Sequence, residues 1–511
     1  MAMELATAFV CAFGVTLILA LYILNWLWLK PKKIEKLLRD QGLKGTPYRL
    51  MFRDLKEMVE MLIEAKSKPM RSLADHDIAH RVFPFYHKVV AVHGKTCFTW
   101  MGTRPLVHIS DPIKIREVFA NNYQFQKQRG SGNPLTKLLV RGLVDTEADQ
   151  WAKHRKIINP AFHVEKLKRM VPAFYVSCNE MIHKWEDMVK EESSCEVDVW
   201  PHLQTLTADV ISRTAFGSNF TEGRKIFELQ REMEKLVMKA AMSLYIPGSK
   251  FFPTKNNTRM KEIDREVKAK IKSLIDRRVA AMKDGESTYD DLLGILLDSN
   301  HKEIKQHGSN KFGLSIDDII EECKLFYFGG QETTGNMLVW TMILLGQYKD
   351  WQTRAREFTK SIYLLKLIDM NMIFSEVLRL YPPVGFLRRM VHEETKLTNL
   401  ILPAGTFIQL NTLFLHHNQD IWGEDVNEFK PERFSEGVLK ATKGQQAAYV
   451  PFGGGPRTCI GQNFAMLEAK MALTMILQRF SFDISPSYSH APHTIITLKP
   501  QFGAHLILHK L

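Results

Sequence analysis

Residues 5–29 carry no charge, and only Thr7, Thr16 and Asn25 among them are clearly polar. Lipid offers no water to a backbone amide, so such a run has one stable form there, a helix that satisfies its own backbone. At about 1.5 Å per residue it would be about 37 Å long, enough to cross a bilayer with some tilt. Trp26 and Trp28 fall where an interfacial aromatic belt would lie. Lys30, Lys32, Lys33 and Lys36 follow, against Glu4 alone on the other side, which puts the bulk of the chain in the cytoplasm. A cleaved signal peptide would have a basic start and a shorter apolar core of about 7–15 residues. The expected organisation is a transmembrane anchor over 1–29, a basic hinge over 30–48 and one large domain over 49–511, with Pro31, Gly42, Gly45 and Pro47 as breakers in the hinge.

Beyond the hinge, helical periodicity dominates. Residues 166–188, 228–242 and 260–282 predict amphipathic helices. Shorter β-prone runs occur at 89–92, 96–100, 400–413 and 494–498. The expected fold class is mainly α with a minor β-sheet (α+β). Cys11, Cys97, Cys178, Cys195, Cys323 and Cys459 are scattered without C-x-x-C spacing, which argues for free thiols in a reducing compartment. The formal charge of +13 suits an anionic membrane surface or an acidic protein partner. The Lys and Arg residues are spread along the chain with no recognition motif, so no nucleic-acid partner is expected.

The strongest helix candidate is 315–347, with Ser315 as cap and Asp318 three residues on. It is apolar nearly all round from 325 to 345, yet its centre reads Gly329-Gly330-Gln331-Glu332-Thr333-Thr334. Each helical glycine costs about 0.8–1 kcal/mol relative to alanine. One explanation is close passage beside a planar group that needs protons, with Thr333 as the hydroxyl and Glu332 as its link to solvent. A kink with satisfied polar groups is the plainer alternative.

Near the C-terminus stands Phe452-Gly453-Gly454-Gly455-Pro456-Arg457-Thr458-Cys459-Ile460-Gly461. Three glycines suit a tight turn whose backbone lies against something flat. No second Cys or His stands at zinc spacing, and Arg457-Thr458-Cys459 is not the end of a phosphate loop. A soft sulfur, a bare backbone and the cation Arg457 suggest haem iron bound through Cys459. Elsewhere, the i,i+3 spacing puts Glu376 and Arg379 on one helix face, and Trp151 and Arg155 stand one turn apart.

These segments together resemble the cytochrome P-450 monooxygenases over almost the whole chain: the Phe452–Gly461 signature, the oxygen-activation motif at 330–334, Glu-x-x-Arg at 376–379 with Arg433 as its third member, and Trp-x-x-x-Arg at 151–155. The runs at 152–163, 461–465 and 500–505 are similar to the plant clan numbered 72, subfamily A. The resemblance implies haem b with Cys459 as axial ligand to iron and Phe452 beside it. It implies Trp151, Arg155, Arg389 and Arg457 at the haem propionates, and proton delivery by Thr333 and Glu332. Glu376, Arg379 and Arg433 would be architectural. It further implies a single-pass protein of the endoplasmic reticulum membrane that hydroxylates a small lipophilic isoprenoid with O2. Gibberellin-, brassinosteroid- and triterpenoid-like compounds are the expected substrates, with NADPH-derived electrons arriving through a reductase flavoprotein.

Pocket residues expected by position are 125–139, Phe326, Gly329, Val384, Arg388 and Thr494. Arg388 is either a clamp for a substrate carboxylate or a solvent-facing neighbour of Arg389. Phe251 and Phe252 either dip into the bilayer or pack beneath a loop. One stretch departs from the pattern: 358–374 is shorter and more apolar than in relatives. It raises the alternative of a catalytically impaired relative or pseudoenzyme.

Overall fold

The computed structural model describes the chain except for residues 1, 51–52, 128–133, 191–192, 219, 243–250, 285–290 and 360–366. Helices dominate, and the central one is Ile316–Gln347. The Ser315 hydroxyl accepts the Asp318 N–H at 3.1 Å while the Asp318 carboxylate accepts the Ser315 N–H at 3.0 Å, so two orphan donors are satisfied reciprocally. The helix Val199–Phe216 lies along it, and Leu367–Leu380 and Gln462–Arg479 also pack against it. Two of its glycines let the first of these approach. A Cβ on Gly330 would sit 2.8 Å from Ile211 Cδ1, and one on Gly335 would sit 2.7 Å from Gln204 Nε2.

The largest sheet has six strands, in the order Lys44–Gly45, Thr96–Met101, Arg104–Ile109, Phe407–Leu410, Leu387–Val391 and Phe125–Gln126. A second joins Phe480–Ile484, His505–Lys510 and Ser194–Asp198. A hairpin pairs Pro492–Thr494 with Leu498–Pro500, so 495–497 is its turn rather than strand. Mainly α with minor sheet is thus the architecture. The β-prone run 89–92 lies instead in the helix Pro84–His93, where Pro84 presets the first turn and Phe85, Tyr86 and Val89 form the buried face. Burial at helical spacing overrides the β preference of Val89 and Val90.

Among the described residues, one helix is long and apolar enough to cross a membrane, and it runs from Met3 to Asp40. The expected hinge therefore does not begin at residue 30. Pro31 has no N–H to give to Leu27 O. The helix passes it through a π turn, Asn25–Leu29, and Tyr48 Oη donates to the freed Leu27 carbonyl at 2.6 Å. Tyr48 is itself held edge-on against Trp100 at 4.7 Å. Arg39 donates to Gly45 O at 3.0 Å, and the Gln41 amide to Ile401 O at 3.0 Å. Pro31, Glu35 and Leu38 are buried, so 30–40 docks on the sheet.

Among the described residues the core holds an acid without a hydrogen-bond partner. Glu468, on Gln462–Arg479, is fully buried, and neither carboxyl oxygen has a hydrogen-bond partner among the described residues. Burial raises its pKa well above the usual carboxylate value. Below the unfolded-state pKa both states hold the proton. As pH rises through that value only the unfolded chain loses it, so stability falls until the folded pKa is reached. Glu468→Met should therefore be more stable than the parent at neutral pH, by about 1–3 kcal/mol. The gap should narrow as pH approaches the ordinary carboxylate range, and thermal melts across pH check it. A gap independent of pH would mean that Glu468 is not the titrating group.

Candidate active site

The loop carrying Cys459 is built by short-range bonds. Gly453 N–H donates to Val450 O at 3.0 Å, and Cys459 N–H donates to Phe452 O at 2.9 Å. Gly453 and Gly455 take φ of +73° and +65°, which a side chain would strain. A Cβ on Gly455 would come within 2.4 Å of Phe119 O, and one on Gly454 within 2.6 Å of the Phe119 ring. Gly454 and Gly455 therefore admit the end of the helix Pro112–Ala120. Cys459 stands three residues ahead of Gln462–Arg479, with part of its surface exposed and its sulfur set among packed protein. Burial raises its thiol pKa, opposed by the Gly461 N–H and the Arg155 charge. Arg155 also donates to Thr458 O at 2.9 Å.

Across the interior, Leu325, Gly329 and Thr333 form an i,i+4 stripe that stays half-buried while most of the central helix around them is buried. A Cβ on Gly329 would meet nothing nearer than Leu325 Cδ1 at 4.0 Å, so this glycine fronts open space whereas Gly330 faces Ile211. Thr333 Oγ1 donates to Gly329 O at 2.8 Å. Glu332 points away from that stripe, into a buried polar cluster with Thr497 and Lys499.

Several groups surround Arg457 of the Cys459 loop. The Arg457 guanidinium lies 4.6 Å from the Trp151 ring centroid and donates to Thr146 O at 2.9 Å and to the Glu147 carboxylate. Glu147 also accepts the Lys127 N–H at 2.7 Å. Arg389, 5% exposed, donates to Arg388 O at 2.8 Å. Burial, with Arg389 and Arg457 nearby, lowers the Lys127 pKa to about 7. Burial and Arg457 lower that of Arg389 to about 10. Arg457 pairs with the buried Glu147 carboxylate while the Lys127 ammonium donates to Val144 O at 2.6 Å, and the buried charge of Arg389 beside that pair fits an anionic partner. The two propionates of haem are such a partner, and a cysteine sulfur and a glycine-lined stripe fit its two faces. Lys127 falls within the expected pocket span 125–139 without a role of its own, and Glu147 belongs to no motif; only the fold brings Glu147 to Arg457.

Below the loop, Glu376 and Arg379 are fully buried and joined by two bonds of 2.7 and 2.8 Å. Arg379 also donates to the carbonyls of His416, Val426 and Glu428. Arg433 Nε lies 3.6 Å from Glu376, and its Nη1 reaches Asp425 at 2.9 Å. Tyr449 Oη donates to Ser375 O at 2.9 Å, which ties this cluster to the segment leading into the Cys459 loop.

The pocket residues divide. Val384 and Thr494 are half-buried neighbours, because Leu498 N–H donates to Pro383 O at 2.9 Å. Phe326 is buried and packs edge-to-face on Phe162 at 5.8 Å. Arg388 is held by neighbouring side chains, and its own side chain is neither solvent-facing nor beside that of Arg389. On the strand Leu387–Val391 side chains alternate, so Arg389 faces the cation cluster and Arg388 the opposite side. There it bonds Gln409 Oε1 at 3.2 Å and Tyr86 Oη at 3.3 Å. Phe251 and Phe252 are exposed, at 73% and 61%. Part of 125–139 and part of the atypical stretch 358–374 lie outside the described residues.

The family model described as Cytochrome P450 matches residues 71–502. Cytochrome P450 CYP72A219 of Panax ginseng is 58% identical over 511 residues, 98% of each chain. The 7-deoxyloganic acid hydroxylase of Catharanthus roseus is 52% identical over 515 residues, again 98% of each. Among solved structures, the retinoic acid-bound cyanobacterial CYP120A1 superposes with a TM-score of 0.71 at 25% identity, covering 84% of this chain and 94% of that one.

Proposed function

The chain belongs to the cytochrome P450 family, and on that premise we propose a membrane-anchored monooxygenase of the endoplasmic reticulum that hydroxylates a lipophilic isoprenoid with NADPH-derived electrons. Family membership brings haem iron, O2, a redox partner and a lipophilic substrate. When bound, the haem supplies the redox-active iron at which O2 is reduced and one oxygen atom enters a C–H bond. In this reading Cys459 is the axial ligand. Trp151, Arg155, Arg389 and Arg457, joined by Lys127, hold the propionates, and Phe452 flanks the ligand loop. Thr333 holds a proton at its Oγ1 on the stripe, and Glu332 replenishes it. Glu376, Arg379 and Arg433 keep the loop in place.

The observation that carries the reading is the Cys459 loop itself, with Arg457 buried over Trp151 against Glu147 and Arg155 bonded to Thr458 O. The closed Glu376–Arg379 pair favours a competent enzyme over an impaired one. The helix Met3–Asp40 supports the anchor, and the relative named as a 7-deoxyloganic acid hydroxylase supports the substrate class.

The test is co-expression with NADPH–cytochrome reductase in microsomes, followed by a screen of gibberellin-, brassinosteroid- and triterpenoid-type compounds. Products one oxygen heavier, formed only with NADPH and O2, are expected. A haem-loaded protein that oxidises none of these would overturn the substrate class. Failure to hold haem would return the impaired reading.

A further inference from the structure

Glu332 is bound to segments well outside its own helix. Its Oε1 accepts from Thr497 Oγ1 at 2.8 Å, from Lys499 Nζ at 2.9 Å and from Asn336 Nδ2 at 3.4 Å. Among the described residues no hydrogen bond reaches Oε2. Lys499 Nζ also donates to both oxygens of Glu234, at 2.9 and 3.2 Å. Glu234, Glu332 and Lys499 are 4%, 5% and 5% exposed. Lys499 stands on the hairpin 492–500 and Glu234 on the helix Phe220–Ala241. One buried ammonium therefore joins the acid beside Thr333 to two other elements.

Two carboxylates around one ammonium leave one negative charge in excess. Burial works against the Lys499 charge, but Glu332 and Glu234 together raise its pKa above the usual value. Burial and then Glu332 raise the pKa of Glu234, with Lys499 opposing. Lys66, Lys235 and His493 are the other titratable groups that act on the cluster or feel it. Without the cation, two acids would share a low-dielectric site, and at least one would take up a proton.

We propose that Lys499 is a positioning residue for the oxygen chemistry: it anchors the Glu332 carboxyl group, so that proton relay through that group to Thr333 depends on the hairpin 492–500 and the helix Phe220–Ala241 being seated. This rests on the reading of Glu332 given above.

The test uses full-length haem-loaded protein with reductase in lipid vesicles, and the isoprenoid that the wild type oxidises in the preceding screen. Lys499→Met should reduce product formed per NADPH about tenfold, less than the ~10²–10⁴-fold of losing a proton-transfer group itself because Glu332 and Thr333 both remain, with the balance released as hydrogen peroxide. Independently of turnover, its infrared spectrum should gain a protonated-carboxyl C=O stretch that disappears when Glu332→Gln is added. Lys499→Arg should restore both readouts. If Lys499→Met loses haem, Lys499→Gln carries the same test, since it keeps a donor and drops only the charge. Wild-type coupling and no new carboxyl band, beside a Glu332→Gln variant that is uncoupled, would overturn the role of Lys499. Normal coupling in Glu332→Gln itself would instead overturn the reading on which it rests.

Discussion

Cys459→Ser is expected to abolish the red-shifted Soret band that a thiolate ligand gives the reduced, carbon monoxide-bound protein, and monooxygenation with it. The change removes one thing. Cys459 N–H donates to Phe452 O at 2.9 Å, and a serine backbone keeps that bond. The turn is held by the positive φ of Gly453 and Gly455 and by Phe119, features of the backbone that the substitution leaves in place. Circular dichroism should therefore match the parent. A serine hydroxyl is a far weaker acid than a thiol, and burial already disfavours the anion at this position even with Gly461 N–H and Arg155 beside it. A thiolate-type spectrum in Cys459→Ser would place the ligand on another cysteine. Cys97, Cys178 and Cys323 are buried, and burial raises the pKa of each.

Arg379→Leu should be the most destabilising single change, at about 3–5 kcal/mol, the cost of leaving a buried charge without its partner. Glu376 would lose both bonds from Arg379, with only the more distant Arg433 and the Lys430 N–H left. The carbonyls of His416, Val426 and Glu428 would lose a donor as well. Against a total stability of about 5–15 kcal/mol, little haem-loaded protein should remain. Thermal melts and haem content per chain are the measurements. Arg388→Leu makes the same charge change on the other face of a strand and should leave haem content near the parent's. Equal losses in both would mean that overall charge, not the Glu376 pair, governs haem retention.

The legible part of this protein lay where local chemistry suffices. Ser315 and Asp318 are three residues apart, and a capping box needs nothing else. Glu376 and Arg379 are one helical turn apart, so their pairing followed from spacing, although their complete burial did not. The apolar run at 5–29 is helical and exposed over almost all of its described length, as an uninterrupted apolar stretch with no polar face would be outside a core. The hinge was misread for a physical reason. Pro31 does break a helical hydrogen bond, but Tyr48, seventeen residues on, supplies the missing donor. No local pattern announces such a repair.

The sequence alone therefore determined the reactive groups and their short-range geometry: a cysteine in a turn that only glycine permits, a hydroxyl beside an acid on a long capped helix, and an i,i+3 ion pair. Tertiary structure decided which distant charges meet them. Glu147 reaches Arg457 across 310 positions, and Lys499 reaches Glu332 across 167. It also decided that Gly330 faces Ile211 while Gly329 fronts the interior, and that Arg388 and Arg389 part company. A buried charge is tolerated only where another charge is brought to it. That partner can come from anywhere in the chain, and only packing selects which.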